Sequence, residues 1–137
     1  MAVGYVVVLH AIECKKLHEG GDEIYCLVNG VEHRPAADPD YWSFDAPGQR
    51  RYPNRLVLDG PDGAEVTITL REQDGGLRFE HDTLGEVVIR VGGGNVTFVE
   101  KKGTTYVGRR RGYHVVDFHD SDGVYALHFS ARSVQDI

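Results

Sequence analysis

Carboxylates are concentrated between two strand-like segments in the middle of the chain: Glu72, Asp74, Glu80 and Asp82. Like charges held this close repel one another, so the chain either leaves them in solvent or places a cation among them. Calcium takes six to eight oxygen ligands, at about 2.3–2.6 Å, from carboxylates, backbone carbonyls and water. The residue types therefore indicate a candidate calcium site, and solvated loop carboxylates are the alternative.

The segments on either side of these acids alternate apolar and polar residues with the period of a β-strand. One runs from Val66 to Leu70 and the other from Leu84 to Val91, and both are predicted strands. Gly75 and Gly76, in the loop between them, give the backbone freedom to fold back. The pattern predicts that the acids lie in a loop joining two strands.

The remaining sequence also predicts strands separated by turns, with no segment showing the 3.6-residue apolar period of a helix. The turn sequences DGPDG, KKG and HDSDG predict three hairpins. Their arms are Arg55–Asp59 with Ala64–Glu72, Val96–Lys101 with Thr104–Gly108, and Tyr113–Phe118 with Val124–Phe129. Turn signals about every 8–12 residues favour an all-β fold, an antiparallel β-sandwich of about eight strands. We predict a single domain over residues 1–137.

Composition limits the classes of partner. The chain has 137 residues and a formal net charge of −6, which disfavours nucleic acid and bulk attraction to an anionic membrane unless a cation reverses the local sign. The N-terminal segment has no basic leader or small-residue cleavage site, and no apolar run is long enough to span a bilayer. We therefore predict a cytoplasmic protein without a transmembrane segment.

The two cysteines do not form a metal motif. Cys14 and Cys26 are far apart for a Cys-x-x-Cys pair, and each lies in a predicted strand. Two buried thiols are the favoured interpretation. A cross-strand disulfide requires the first two strands to pair with these residues opposite each other.

Two short motifs resemble the C2-type domain, a calcium- and phospholipid-binding β-sandwich. The first is DEIY, at Asp22–Tyr25, in the position of that family's Asp-Pro-Tyr. The second is Glu72-Gln73-Asp74 followed by Asp82-Thr83-Leu84-Gly85, similar to its Asp-x-Asp and Asp-x-Leu-Gly. The resemblance covers roughly residues 3–91 and leaves the chain after Gly92 unassigned. It implies a calcium site formed by four residues: Asp22, Glu72, Asp74 and Asp82.

On this basis the predicted function is a non-enzymatic, calcium-binding C2-like module that docks an anionic lipid headgroup or a protein partner through its acidic loops. The alternative is a metal-free protein-interaction domain of the same fold. A hydrolase with paired carboxylates is a third hypothesis, disfavoured because a glycosidase-like site normally needs a sugar-binding groove. The sequence motifs of other enzyme classes are absent.

Two further features suggest contact surfaces. Basic residues at Lys101, Lys102 and Arg109–Arg111 could face lipid headgroups or an acidic protein, or could simply keep an edge strand soluble. Trp42, the sole tryptophan, either packs in the core or forms an exposed aromatic platform.

Overall fold

The computed structural model describes residues 3–73 and 81–135, and these form strands, turns and bends with no helix. No helical segment that could cross a membrane is therefore present in these two ranges. Twelve strands follow in chain order: β1 (Val3–Lys16), β2 (Asp22–Val28), β3 (Val31–His33), β4 (Trp42–Phe44), β5 (Arg50–Arg51), β6 (Arg55–Pro61), β7 (Glu65–Gln73), β8 (His81–Gly92), β9 (Asn95–Glu100), β10 (Thr104–Arg110), β11 (Tyr113–His119) and β12 (Val124–Gln135).

The strands form two six-stranded antiparallel sheets. The first has the order β10-β11-β12-β1-β5, with β6 also pairing with β1, and we call it the β1 sheet. The second has the order β3-β2-β7-β8-β9, with β4 also pairing with β2, and we call it the β2 sheet. The predicted all-β, antiparallel class is confirmed. The strand count exceeds the predicted eight because short strands such as β4 and β5 form within the segment 34–54, where prolines and turns obscured the pattern.

One apolar core contains side chains from both sheets. Period-two alternation sends Tyr5, Val7 and Leu9 of β1 into it, and a bulge after Leu9 shifts the phase so that Ile12 and Cys14 also point inward. Buried aromatic and branched side chains supply most of the apolar area that stabilises such a core. The only tryptophan is 8% exposed and belongs to this core, which confirms packing over the platform alternative.

Two of the three predicted hairpins are wrong. The β11–β12 hairpin around HDSDG forms, with Phe118 opposite Tyr125. The DGPDG segment instead connects β6 in the β1 sheet to β7 in the β2 sheet. The KKG segment connects β9 in the β2 sheet to β10 in the β1 sheet. A local turn sequence specifies that the chain reverses, but the neighbours that offer free edges and a shared core decide which sheet the next strand joins.

The cysteines lie in different sheets, Cys14 on β1 and Cys26 on β2, and both are buried free thiols. The prediction of two buried thiols is confirmed, and the disulfide alternative is wrong because the first two strands do not pair. Burial raises the pKa of the Cys26 thiol to about 12, so it stays protonated at neutral pH.

Two turns and one pair of strand ends meet at one end of the two sheets. Lys16 at the end of β1 lies opposite Val124 at the start of β12, while in the other sheet Ile24 lies opposite Glu72, which faces Asp82. Consequently the turn after β1, the facing ends of β7 and β8, and the β11–β12 turn share this region. We call it the acidic end, because its side chains are mostly carboxylates: Glu19, Asp22, Glu72, Asp82, Asp120 and Asp122.

Candidate metal centre

Four side chains converge at the acidic end: His18, Glu19, Glu72 and Asp82. One ligand atom from each lies within 4.8 Å of the others. The two acids predicted from sequence, Glu72 and Asp82, are register partners on β7 and β8. His18 Nε2 lies 3.1 Å from Asp82 Oδ2, close to the separation of neighbouring ligands around an ion bound at about 2.1 Å from each. The group thus has the spacing of a metal-binding site.

Glu72 is the buried member of this group. Its side chain is 1% exposed, and its Oε1 has no hydrogen-bond partner among the described residues. Within the described part of the chain, its Oε2 accepts one long hydrogen bond, 3.5 Å, from the backbone N–H of Glu23. Burial, followed by the charges of Glu19 and Asp22, raises the pKa of Glu72 to about 8. A buried carboxyl with a free oxygen is costly unless a proton or cation shares it.

His18 lies between two carboxylates, one at each ring nitrogen. Nε2 faces Asp82, and Nδ1 lies 2.9 Å from Asp120 Oδ2 as an ion-pair contact rather than an aligned hydrogen bond. Burial lowers the pKa of His18, but the hydrogen bond to Asp82 and the charge of Asp120 outweigh it, so that the pKa is raised overall. The imidazolium form therefore suits the metal-free protein. An imidazole with one nitrogen on a metal and the other facing a carboxylate is a common arrangement in metal sites.

Asp120 is held in place by its own turn. One of its carboxylate oxygens accepts hydrogen bonds from the backbone N–H groups of Asp122 and Gly123, each at 2.8 Å. Burial opposes ionisation, but these two bonds and nearby His18 keep the pKa of Asp120 below its ordinary value. Asp120 is therefore an anion that orients His18. A second close group, formed by His18, Asp120 and Asp122, shares this histidine and has fewer ligands.

Asp22, which the C2-type resemblance implies as a calcium ligand, lies next to the group, but its carboxylate already accepts hydrogen bonds from protein donors. Its Oδ2 accepts hydrogen bonds from the backbone N–H of His18, at 2.7 Å, and from the Tyr125 hydroxyl. Its Oδ1 accepts one from the backbone N–H of Glu19, at 2.9 Å. With both oxygens engaged and only 1% of the residue exposed, Asp22 fixes the turn that presents His18 and Glu19. This geometry favours a structural role.

The remaining predicted ligand, Asp74, lies outside the described residues, as do Glu80 and the two loop glycines. His18 was not predicted as a ligand, and the segment that contains Asp120 was interpreted as a hairpin turn in preference to the start of a calcium loop. His18 follows β1 and Asp120 follows β11, and both strands end at the acidic end. The signal that could have found them is strand direction: β11 and β1 both pair antiparallel with β12, so the turns that follow β1 and β11 lie at the same end of the sheet.

Gly123 allows the β11–β12 turn to approach His18. A Cβ at this position would lie 2.8 Å from both the backbone nitrogen and the Cα of His18, which is closer than Cβ atoms approach other heavy atoms in proteins. We expect Gly123→Ala to destabilise the protein by about 2 kcal/mol because backbone must move to admit the methyl group. Urea unfolding of this variant beside Gly20→Ala, where a Cβ meets nothing within 4 Å, checks the prediction. Equal loss in both variants would contradict it.

In comparisons with known proteins, no family model matches the chain and no curated protein matches it in sequence. The C2-type resemblance therefore remains a prediction from the motifs.

Proposed function

We propose that this protein is a non-enzymatic binding module that holds a divalent transition metal through His18, Glu19, Glu72 and Asp82. The observation that carries the proposal is the buried Glu72 carboxyl, which lies within 4.8 Å of ligand atoms from three further side chains and whose Oε1 has no hydrogen-bond partner among the described residues. Exposed acids cluster on many proteins without an ion, but a carboxyl that is 1% exposed, with one oxygen lacking a partner among the described residues, destabilises the fold unless a proton or a cation shares it.

The donor set favours zinc or manganese over calcium. Calcium takes oxygen ligands only, whereas an imidazole nitrogen with carboxylates suits zinc, manganese and iron. The calcium site implied by the C2-type resemblance needs Asp22 as a ligand, and both Asp22 oxygens already accept hydrogen bonds. Calcium is therefore the competing ion in the test below.

Glu72 and His18 release protons when the cation binds. In the metal-free protein Glu72 is largely protonated at pH 7, since its pKa is about 8, and the neighbouring carboxylates Asp82 and Asp120 raise the pKa of His18 and favour its protonated form. Both protons must leave before those atoms can act as ligands. Asp120, 2.9 Å from the other ring nitrogen of His18, favours a proton at that nitrogen. A bound ion would supply a positive centre able to accept an anionic or carbonyl group from a partner.

Metal should raise the melting temperature of the chelator-treated protein. A ligand that binds only the folded state at a hundred times its Kd adds about 2.7 kcal/mol, which shifts the midpoint by several degrees. We expect this shift with zinc or manganese and little with calcium or magnesium. Titration calorimetry at pH 7, in buffers of different ionisation enthalpy, should detect release of up to about two protons per ion.

The outcomes separate the hypotheses. A shift with calcium alone, without proton release, would support the ion that the C2-type resemblance implies. No shift with any of the four ions would leave the metal-free protein-interaction domain, whose partner capture should be indifferent to chelator. The finer fold, a C2-like β-sandwich, and docking to a lipid headgroup or protein remain part of this proposal, supported by the two antiparallel sheets and the acidic loops at one end.

A further inference from the structure

A groove crosses the outer face of the β1 sheet, on the side opposite the shared core. We call it the outer groove. It has a volume of about 340 Å³, which is within the range of small-molecule sites. It crosses β10, β11, β12, β1 and β5. Ten residues line it, and they include both apolar and charged side chains, among them Val107, Val115, Ala126, Glu13, Arg110 and Arg111.

The floor of the outer groove is buried although it faces away from the core. Val115 and Ala126 alternate with the core residues Val116 and Leu127, so their side chains point to the outer face. Even so, Val115 is 4% exposed and Ala126 is 0% exposed. Longer side chains on the neighbouring strands therefore rise around this floor and leave an apolar depression between them.

The walls carry more positive than negative charge. Glu13 is the only acid among the ten lining residues, against one lysine and three arginines. Glu13 Oε1 is already shared, at 3.2 Å from Arg50 Nη2 and 3.1 Å from His128 Nε2. Lys15 pairs with Asp117 at 3.2 Å. After these pairs, the charges of Arg110 and Arg111 are left without a carboxylate partner among the described residues.

The fold places both arginines at one mouth of the outer groove. Arg110 Nη1 donates to the backbone carbonyl of Arg109 at 2.9 Å, which steadies the guanidinium. Arg111 has a φ of +53°, and it forms with Gly112 the tight turn between β10 and β11. Two positive side chains are thereby kept beside an apolar floor in a protein whose net charge is −6.

We propose that the outer groove binds a small organic carboxylate, with its apolar body on Val115 and Ala126 and its carboxylate on Arg110 and Arg111. A guanidinium matches a carboxylate with two parallel hydrogen bonds, and an apolar floor with a few polar groups at one side is the usual composition of a small-molecule site. The site lies on the outer face of the β1 sheet and is independent of the proposed metal centre.

Three probes with one ring system and different charges test the proposal: 1-naphthoate, 1-naphthalenemethanol and 1-naphthylmethylamine. Binding to the full chain is followed by backbone amide shifts in two-dimensional NMR, with chelator present so that the acidic end takes no part. We expect naphthoate to bind about tenfold more tightly than the neutral alcohol, and the amine most weakly, with shifts centred on β10–β12.

Variants decide whether the named residues are responsible. Arg110→Ala combined with Arg111→Ala should remove the preference for naphthoate over the alcohol, whereas Arg90→Ala, which changes an exposed arginine on the other sheet, should leave it intact. Val107→Trp should weaken all three probes by filling the groove, with a thermal melt to show that it folds. Equal affinity for the anion and the alcohol, loss of preference in Arg90→Ala, or shifts confined to another surface would each overturn the proposal.

Discussion

Glu72→Gln is expected to change metal response and metal-free stability in opposite directions. The variant should lose most of the melting-temperature rise produced by zinc or manganese, since the buried ligand of the proposed centre is gone. Without metal, it should be more stable than the natural protein at alkaline pH. Glutamine has nearly the same size but cannot ionise. Glu72 is 1% exposed and its Oε1 has no hydrogen-bond partner in the described residues, so its negative charge at alkaline pH destabilises the folded state.

The sign of the pH effect follows from the direction of the shift. The pKa of Glu72 rises from 4.5 to about 8 on folding, so between these values the folded state holds more protons than the unfolded state. The contribution of Glu72 to the free energy of unfolding is therefore complete below about pH 4.5 and decreases until about pH 8. The advantage of glutamine should grow over this window to about 3 kcal/mol, after allowance for local relaxation.

Urea unfolding of the chelator-treated proteins from pH 4.5 to 9 measures this difference, and the pH slope is more informative than any constant offset. Glu86→Gln is the matched control, because Glu86 lies on the same pair of strands, opposite Thr69, and outside the cluster. If the difference in free energy of unfolding between the two proteins does not change with pH, Glu72 has the same pKa in the folded and unfolded states. Loss of the metal response in Glu86→Gln as well would remove the reason for assigning it to Glu72.

Asp22→Ala is expected to cost about 3–5 kcal/mol of stability with or without metal. The substitution leaves two backbone N–H groups and the Tyr125 hydroxyl without their acceptor in a buried region. Each buried donor left without an acceptor costs its full desolvation free energy, and the cost is larger when the acceptor removed was charged. Tyr125→Phe removes only one of the three partners and should cost about 1–2 kcal/mol.

Chemical unfolding of the three proteins in chelator tests this order, with Asp59→Ala as an exposed aspartate control on β6. If Asp22→Ala is as stable as the natural protein in chelator but loses its metal response, Asp22 is a ligand after all, as the C2-type resemblance implies. If its stability falls by the expected amount in chelator, the carboxylate holds the turn that carries His18 and Glu19.

Strand patterning was readable from the sequence because it is local. Alternation such as VTITL places every second side chain on one face, and a one-residue slip would move the apolar set into water. The strands around the acids, the absence of helix from the described residues and the buried thiols all follow from this period. Glu72 and Asp82 were also predicted together, but as residues of a loop. In the structure they lie on β7 and β8 as register partners, because both strands extend further than the alternating pattern indicated.

The partner strands and the full ligand group were decided by tertiary structure. Nothing local distinguishes a turn that closes a hairpin from one that crosses between sheets, so DGPDG and KKG were assigned to hairpins that do not form. His18 and Asp120 are distant in sequence and meet because β1 and β12 pair along their length and Gly123 permits close approach. Asp22 has the residue type of a ligand, yet hydrogen bonds from its own turn and from Tyr125 occupy both oxygens. A carboxylate's availability depends on which donors reach it first, and only the folded chain determines that.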